Sequence, residues 1–103
     1  MTENRIKVRI KFSKHGVMRF IGHLDIMRYF QKVFRRAEID IAYSGGFSPH
    51  QIMYFAQPLG VGLESDGEYM DVELNSMISS EDIVNRMNEQ MAEGMEVLSA
   101  KVL

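Results

Sequence analysis

Apolar and charged residues alternate without a break from Arg5 to Phe12. Ile6, Val8, Ile10 and Phe12 fall on one side, and Arg5, Lys7, Arg9 and Lys11 on the other. A period of two with one apolar face predicts a half-buried strand. Lys14-His15-Gly16 then turns the chain. From His23 to Ala37 the spacing becomes helical, with Leu24, Met27, Phe30, Phe34 and Ala37 as the apolar stripe. Arg28, Lys32, Arg35 and Arg36 fall mostly off that stripe. Gly22 or His23 is placed to cap the helix, and Asp25 sits in the first turn, where the helix dipole favours a negative charge.

Ile39 to Tyr43 predicts a short second strand with Ile39, Ile41 and Tyr43 on one face. Glu68 to Leu74 predicts another, with Met70, Val72 and Leu74 inward and Tyr69, Asp71 and Glu73 outward. Ser79 followed three residues later by Asp82 resembles a capping box, opening a helix that runs to about Met91. Ile83, Val84, Met87 and Met91 supply its buried face. Glu96 to Val102 closes the pattern as a strand with Leu98, Ala100 and Val102 in register.

The order β-α-β-β-α-β predicts a ferredoxin-like α+β sandwich, an antiparallel sheet with two helices on one face. Residues 44–67 form a long insertion between the second and third core strands, too many for a hairpin turn. Within it, Ile52 to Ala56 is apolar enough to add a strand or extend a neighbour, and loops of this length are usually functional or carry structure of their own. In this topology the first and third strands are central neighbours. Their outward faces, Arg5/Lys7/Arg9/Lys11 and Tyr69/Asp71/Glu73, then oppose each other, each opposite-charge pair contributing about 0.2–1 kcal/mol. The basic strand is therefore expected to be one side of a salt-bridge ladder rather than an open nucleic-acid stripe.

The 103 residues suit a single domain spanning 1–103, and 46% hydrophobic with 25% charged residues is a globular balance. With no cysteine, the chain itself cannot supply a disulfide, a thiolate metal site or an iron–sulfur cluster held by cysteine. No apolar run reaches membrane-spanning length and residues 1–20 are not patterned as a signal peptide, so a cytoplasmic location away from membranes is expected. The net charge of -2 conceals an asymmetry. Residues 1–50 hold ten Lys/Arg against four Asp/Glu, a net +6, whereas residues 51–103 hold two against ten, a net -8. Such a basic half either meets a polyanion or is neutralised by the other half on folding.

Tyr43-Ser44-Gly45-Gly46-Phe47-Ser48-Pro49-His50 is the candidate working loop. Its paired glycines permit backbone angles that other residues avoid, and Pro49 stiffens the bend that follows. Either the loop offers Phe47 and His50 to a ligand such as RNA, or Phe47 folds back into the core and His50 is solvated. His15, His23 and His50 are the only histidines, and no metal-ligand spacing such as HExxH occurs, so no metal site is expected. A histidine could serve as a general acid–base, but spacing assigns it no nucleophile or orienting partner. Gly60-Val61-Gly62 lacks the third glycine of a dinucleotide fingerprint, and Pro58, Gly60, Gly62 and Gly67 are better suited to shaping turns. Nine methionines give an adaptable interior.

Several segments together resemble a bacterial family, the radical-SAM-linked domain of unknown function. They are Gly22-His23-Leu24-Asp25 with Met27-Arg28, Arg35-Arg36-Ala37, and the loop from Tyr43 to His50. Pro58-Leu59-Gly60-Val61-Gly62, Glu64-Ser65 and Glu68-Tyr69 continue the likeness, which covers most of residues 5–103. Members of that family commonly carry Asn where Ser48 stands and Pro where Gln51 stands. They are also longer, which implies that residues 1–103 are an N-terminal portion or a short variant. Family members are fused to, or encoded beside, radical S-adenosylmethionine proteins, so the resemblance implies such a protein as partner. The radical enzymes hold their cluster with a cysteine triplet, which this chain does not have.

The leading expectation is an accessory module without catalysis or cofactor of its own, recognising a substrate or docking a radical SAM protein. His23, Asp25, Arg28, Ser44, Phe47 and His50 would build its face, with Glu64 and Ser65 contributing. The alternative is an RNA-binding or RNA-processing domain that uses Arg28, Lys32, Arg35 and Arg36 of the first helix for phosphates and the 43–50 loop for a base. A small enzyme with His23 or His50 as acid–base ranks last.

Overall fold

The long alternating segment becomes the central strand β1, Ile6–Lys14, of a four-stranded antiparallel sheet ordered β2-β3-β1-β4. The computed structural model describes residues 5–56 and 62–103. The remaining elements are a 3-10 turn at Gly16–Phe20, helix α1 at His23–Arg36, β2 at Met53–Phe55, β3 at Ser65–Leu74, helix α2 at Ser80–Gln90 and β4 at Met95–Val102. Val8, Ile10 and Phe12 of β1 and Met70, Val72 and Leu74 of β3 are almost wholly buried, as alternation requires. Both helices cover this one face, Ile26, Phe30, Val33 and Phe34 of α1 and Ile83 and Met87 of α2 joining the same core. Ser79 accepts the amide of Asp82 at 3.0 Å, so the N-cap of α2 forms where its sequence signal lies.

Helix α1 starts at His23, and Gly22 rather than His23 is its N-cap residue. Its buried stripe is not the one expected. Ile26 and Val33 join Phe30, Phe34 and Ala37 inside, while Leu24 is 58% exposed. The set 26, 30, 33, 34 and 37 follows the helical repeat, whereas Leu24 lies about 200° around the axis from Ile26.

The expected second strand does not form at Ile39–Tyr43. Ile41 donates its amide to Ile39 at 2.8 Å, a three-residue turn that breaks the extended path. Asp40, at its centre, is held by Asn75 at 3.1 Å and Ser76 at 2.8 Å. The segment keeps only isolated bridges, Ile41 to Leu74 and Tyr43 to Gln51. Ladder pairing with β3 passes instead to Met53–Phe55, inside the apolar stretch from Ile52 to Ala56. The turn positions Pro58 and Gly60, with the family-like run Pro58 to Val61, lie outside the described residues.

In β4 the expected inward face is interrupted. Val97 lies opposite Phe12 and Ser99 opposite Lys11, which leaves Leu98 as the extra residue of a β-bulge. Leu98 is turned outward at 41% exposure, Met95 and Val97 are buried, and Ala100 and Val102 face Ile10 and Val8 as expected.

The pairing of β1 with β3 aligns Lys7 with Glu73, Arg9 with Asp71 and Lys11 with Tyr69. Arg9 grips Asp71 through two hydrogen bonds of 2.8 and 2.9 Å, and Arg5 approaches Glu73 at 3.6 Å. The expected ladder forms at these two arginines. Lys11 lies instead over the ring of Tyr69, 6.0 Å from its centre.

Candidate functional site

The loop from Tyr43 to His50 leaves and re-enters the protein through a narrow neck. Ser44 donates its amide to the carbonyl of His50 at 2.8 Å, and the amide of His50 donates to Ser44 Oγ at 3.2 Å. His50 Nδ1 stands 3.1 Å from Ser44 Oγ and 3.2 Å from the carbonyl oxygen of Ser48. A carbonyl can only accept, so a hydrogen on Nδ1 satisfies the contact with Ser48. Gly46, at φ 93°, takes the left-handed backbone that the bend requires. Phe47 is fully exposed, at 107%, and does not fold back into the core.

Beside the neck, Gln31 and Arg35 of α1 join Tyr43, Pro49, His50 and Gln51 around a small groove of about 160 Å³. Gln51 is buried. Its Nε2 donates to the carbonyl of Gln31 at 3.0 Å and to the Tyr43 hydroxyl at 3.5 Å, while its Oε1 has no partner among the described residues.

His23 and Asp25 stand at the other end of α1. The His23 ring meets Phe55 edge-on at 5.1 Å, and its buried Nδ1 has no partner among the described residues. Asp25 is exposed and lies 3.7 Å from Arg28, one helical turn away. Arg35, the neighbour of His50 in the groove, follows His23 by twelve residues, a rise of about 18 Å along the helix. His23, Asp25 and Arg28 therefore form one group, and Ser44, Phe47 and His50 another.

Glu64 and Ser65 form a third group, with His15 and with Arg19 and Asp66, two residues that the sequence did not single out. Glu64 accepts the amide of Gly16 at 2.9 Å and lies 3.6 Å from His15 Nδ1 and 4.0 Å from Arg19. Asp66 Oδ1 lies 2.6 Å from His15 Nε2. Ser65 Oγ accepts the amide of Gly67 at 3.2 Å, and Ser65 pairs with Lys14 in the sheet. The bond to Asp66 raises the His15 imidazole above its ordinary value, with the negative charges of Asp66 and Glu64 adding to it. The bond from Gly16 holds Glu64 below the usual carboxylate value, and the charges of His15 and Arg19 push the same way. This cluster ties the start of β3 to the 3-10 turn. About fifty residues separate its halves, so no local pattern reveals it.

Arg28, Lys32, Arg35 and Arg36 are all exposed on α1, at helical spacing that puts them on one flank. Among the described residues, no group of three or more His, Cys, Asp or Glu side chains is arranged to hold a metal ion, and no helix is long and apolar enough to cross a membrane.

The sheet face turned away from the helices carries an open groove. It has a volume of about 730 Å³, and Arg9, Lys11, Tyr54, Tyr69, Asp71 and Lys101 are among its lining residues. Tyr69 was legible beforehand as an outward residue of its strand. Tyr54 and Lys101 join it only through the order of the strands.

No curated protein matches this chain. A family model described as "Uncharacterized protein conserved in bacteria (DUF2344)" matches residues 7–103, nearly the whole length. The chain therefore belongs to this uncharacterised, conserved bacterial family.

Proposed function

We propose that the chain is a non-catalytic accessory module of the cytoplasm that docks a radical SAM protein, with Phe47 as the docking residue. The observation that carries this reading is a fully exposed phenylalanine on a loop closed at its neck by the bonds between Ser44 and His50. An exposed ring costs hydration free energy until a partner covers it, and a loop already held in shape loses little entropy on binding. Arg35, Tyr43 and His50 lie around the adjacent groove, in keeping with aromatic and arginine anchors at interfaces. The separation of His23 and Asp25 from His50 supports a binding role over acid–base catalysis. The resemblance to radical-SAM-linked domains supplies the identity of the partner. We also assign the fold to the ferredoxin-like class, because the sheet read from its other edge is β4-β1-β3-β2 and a helix follows each central strand.

The test is capture of a radical SAM protein from the same cell. Wild-type chain should retain it, Phe47→Ala should lose it while staying folded, and Ser44→Ala should weaken it by loosening the neck. Undiminished capture by folded Phe47→Ala would remove both Phe47 and this reading.

A second reading, RNA bound along α1, is favoured by the exposed flank of Arg28, Lys32, Arg35 and Arg36 and by the groove that Arg35 shares with Tyr43 and His50. Binding of that kind falls steeply with salt, and Arg35→Ala with Arg36→Ala should weaken it for every sequence.

A further inference from the structure

The uncovered face of the sheet combines cations and exposed aromatic rings in one open groove. Among the described residues, Arg9, Lys11 and Lys101 line it against a single acidic side chain, Asp71, which Arg9 already occupies through two hydrogen bonds. Among the described residues, neither Lys11 nor Lys101 makes an ion pair. The register also sets Arg9 directly opposite Lys101. Like charges opposite each other weaken an antiparallel pair, so an anion between these strands would relieve a cost present in the free protein.

Tyr54 and Tyr69 lie on the same face, 63% and 40% exposed. Tyr54 pairs with Asp71, which makes Tyr69 its diagonal neighbour on the next strand, about 7–8 Å away. Two phenol rings at that spacing, edged by lysines, suit successive unpaired bases better than a duplex, whose bases are already stacked on one another. Base–aromatic stacking tolerates any sequence, and the flanking lysines meet the phosphates.

The geometry points to a single-stranded nucleic acid crossing this sheet face, with Tyr54 and Tyr69 stacking two bases and Lys11 and Lys101 pairing with phosphates. The site shares no residue with the Phe47 loop or the α1 flank, so it does not rest on the docking reading. An apolar protein partner fits less well, since the groove's centre is charged.

Fluorescence anisotropy of the whole chain with labelled oligo(U) and oligo(dT) of about 8 nucleotides tests this. Binding of either supports the site, and the preference between them identifies the sugar. Tyr54→Ala and Tyr69→Ala should each lower affinity roughly tenfold. Lys11→Gln with Lys101→Gln should reduce the slope of log affinity against log salt by about 1.4, at about 0.7 per phosphate contact on a single strand. Should a tyrosine variant fail to fold, Lys101→Glu at the exposed end of β4 carries the same test. Absence of binding to both oligonucleotides overturns the proposal, as does unchanged affinity in folded tyrosine variants. Loss of binding in Arg35→Ala with Arg36→Ala, with the tyrosine variants unaffected, would move the strand to α1 and overturn the sheet-face assignment. Partner capture through Phe47 should persist in Tyr54→Ala and Tyr69→Ala, so failure of one reading is distinguishable from failure of the other.

Discussion

Arg9 and Asp71 face each other across the two central strands and share two hydrogen bonds, at 2.8 and 2.9 Å. The pair is exposed enough for water to screen it, so its effect on stability is small, and its geometric effect is larger. It turns the guanidinium toward β3 and leaves Lys101, on the other side of β1, without that neighbour's carboxylate. Asp71→Asn should cause only a slight fall in melting temperature and should strengthen oligonucleotide binding by removing the groove's lining carboxylate. Weaker binding in that variant would show that Asp71 positions Arg9 for the ligand.

The His15 cluster predicts a pH signature. His15 is raised from its ordinary 6.5, so its contribution to stability is complete below 6.5 and is lost as pH rises through the raised value. Glu64 is lowered from its ordinary 4.5, so its contribution is complete above 4.5 and is lost as pH falls through the lowered value. Both operate fully between 4.5 and 6.5. Titration of the His15 ring by NMR should give a midpoint above 6.5, and Asp66→Asn should bring it down. Equal midpoints in the two proteins would dissolve the proposed clasp.

Gly94 and Gly16 both have positive φ, at 97° and 61°, yet they should respond differently to alanine. A Cβ at Gly94 would stand 2.6 Å from the carbonyl oxygen of His15, whereas one at Gly16 meets nothing within 4 Å. Gly16→Ala carries the left-handed backbone cost alone, about 1–2 kcal/mol. Gly94→Ala adds a backbone clash and should cost more, as urea unfolding of the two variants can show. A larger loss in Gly16→Ala would contradict this placement of the β4 approach.

Phe30 is fully buried and meets Phe12 at 4.9 Å and Phe55 at 6.1 Å between ring centres. Phe30→Ala should cost about 3–5 kcal/mol by removing contacts and opening a cavity. That is a large part of the 5–15 kcal/mol typical of a domain. Leu24→Ala, at an exposed position on the same helix, should change stability by less than about 0.5 kcal/mol. Comparable losses in the two variants would reverse the assignment of the buried stripe.

The elements written in local spacing were legible in the sequence. Period two set β1 and the inner face of β3, helical spacing set α1, and Ser79 marked the start of α2. These depend on neighbours a few residues apart, which a single chain displays directly. Where local rules compete, tertiary contacts chose. Asp40 found Asn75 and Ser76, the backbone turned there, and β2 formed at Met53–Phe55 rather than at Ile39–Tyr43. The bulge at Leu98 reversed half a face because β4 had to match β1, a demand that its own sequence does not express.

The candidate sites divide in the same way. The residue types at Ser44, Phe47 and His50 marked out their loop, and the hydrogen bonds that close it join positions only six residues apart. Their separation from His23 and Asp25 follows from the length of α1. The gathering of Tyr54, Tyr69, Lys11 and Lys101 follows from the strand order β2-β3-β1-β4. Sequence determined which side chains stand outward on β1 and β3. Only the sheet, by bringing distant strands within hydrogen-bonding distance, decided which of them share a surface.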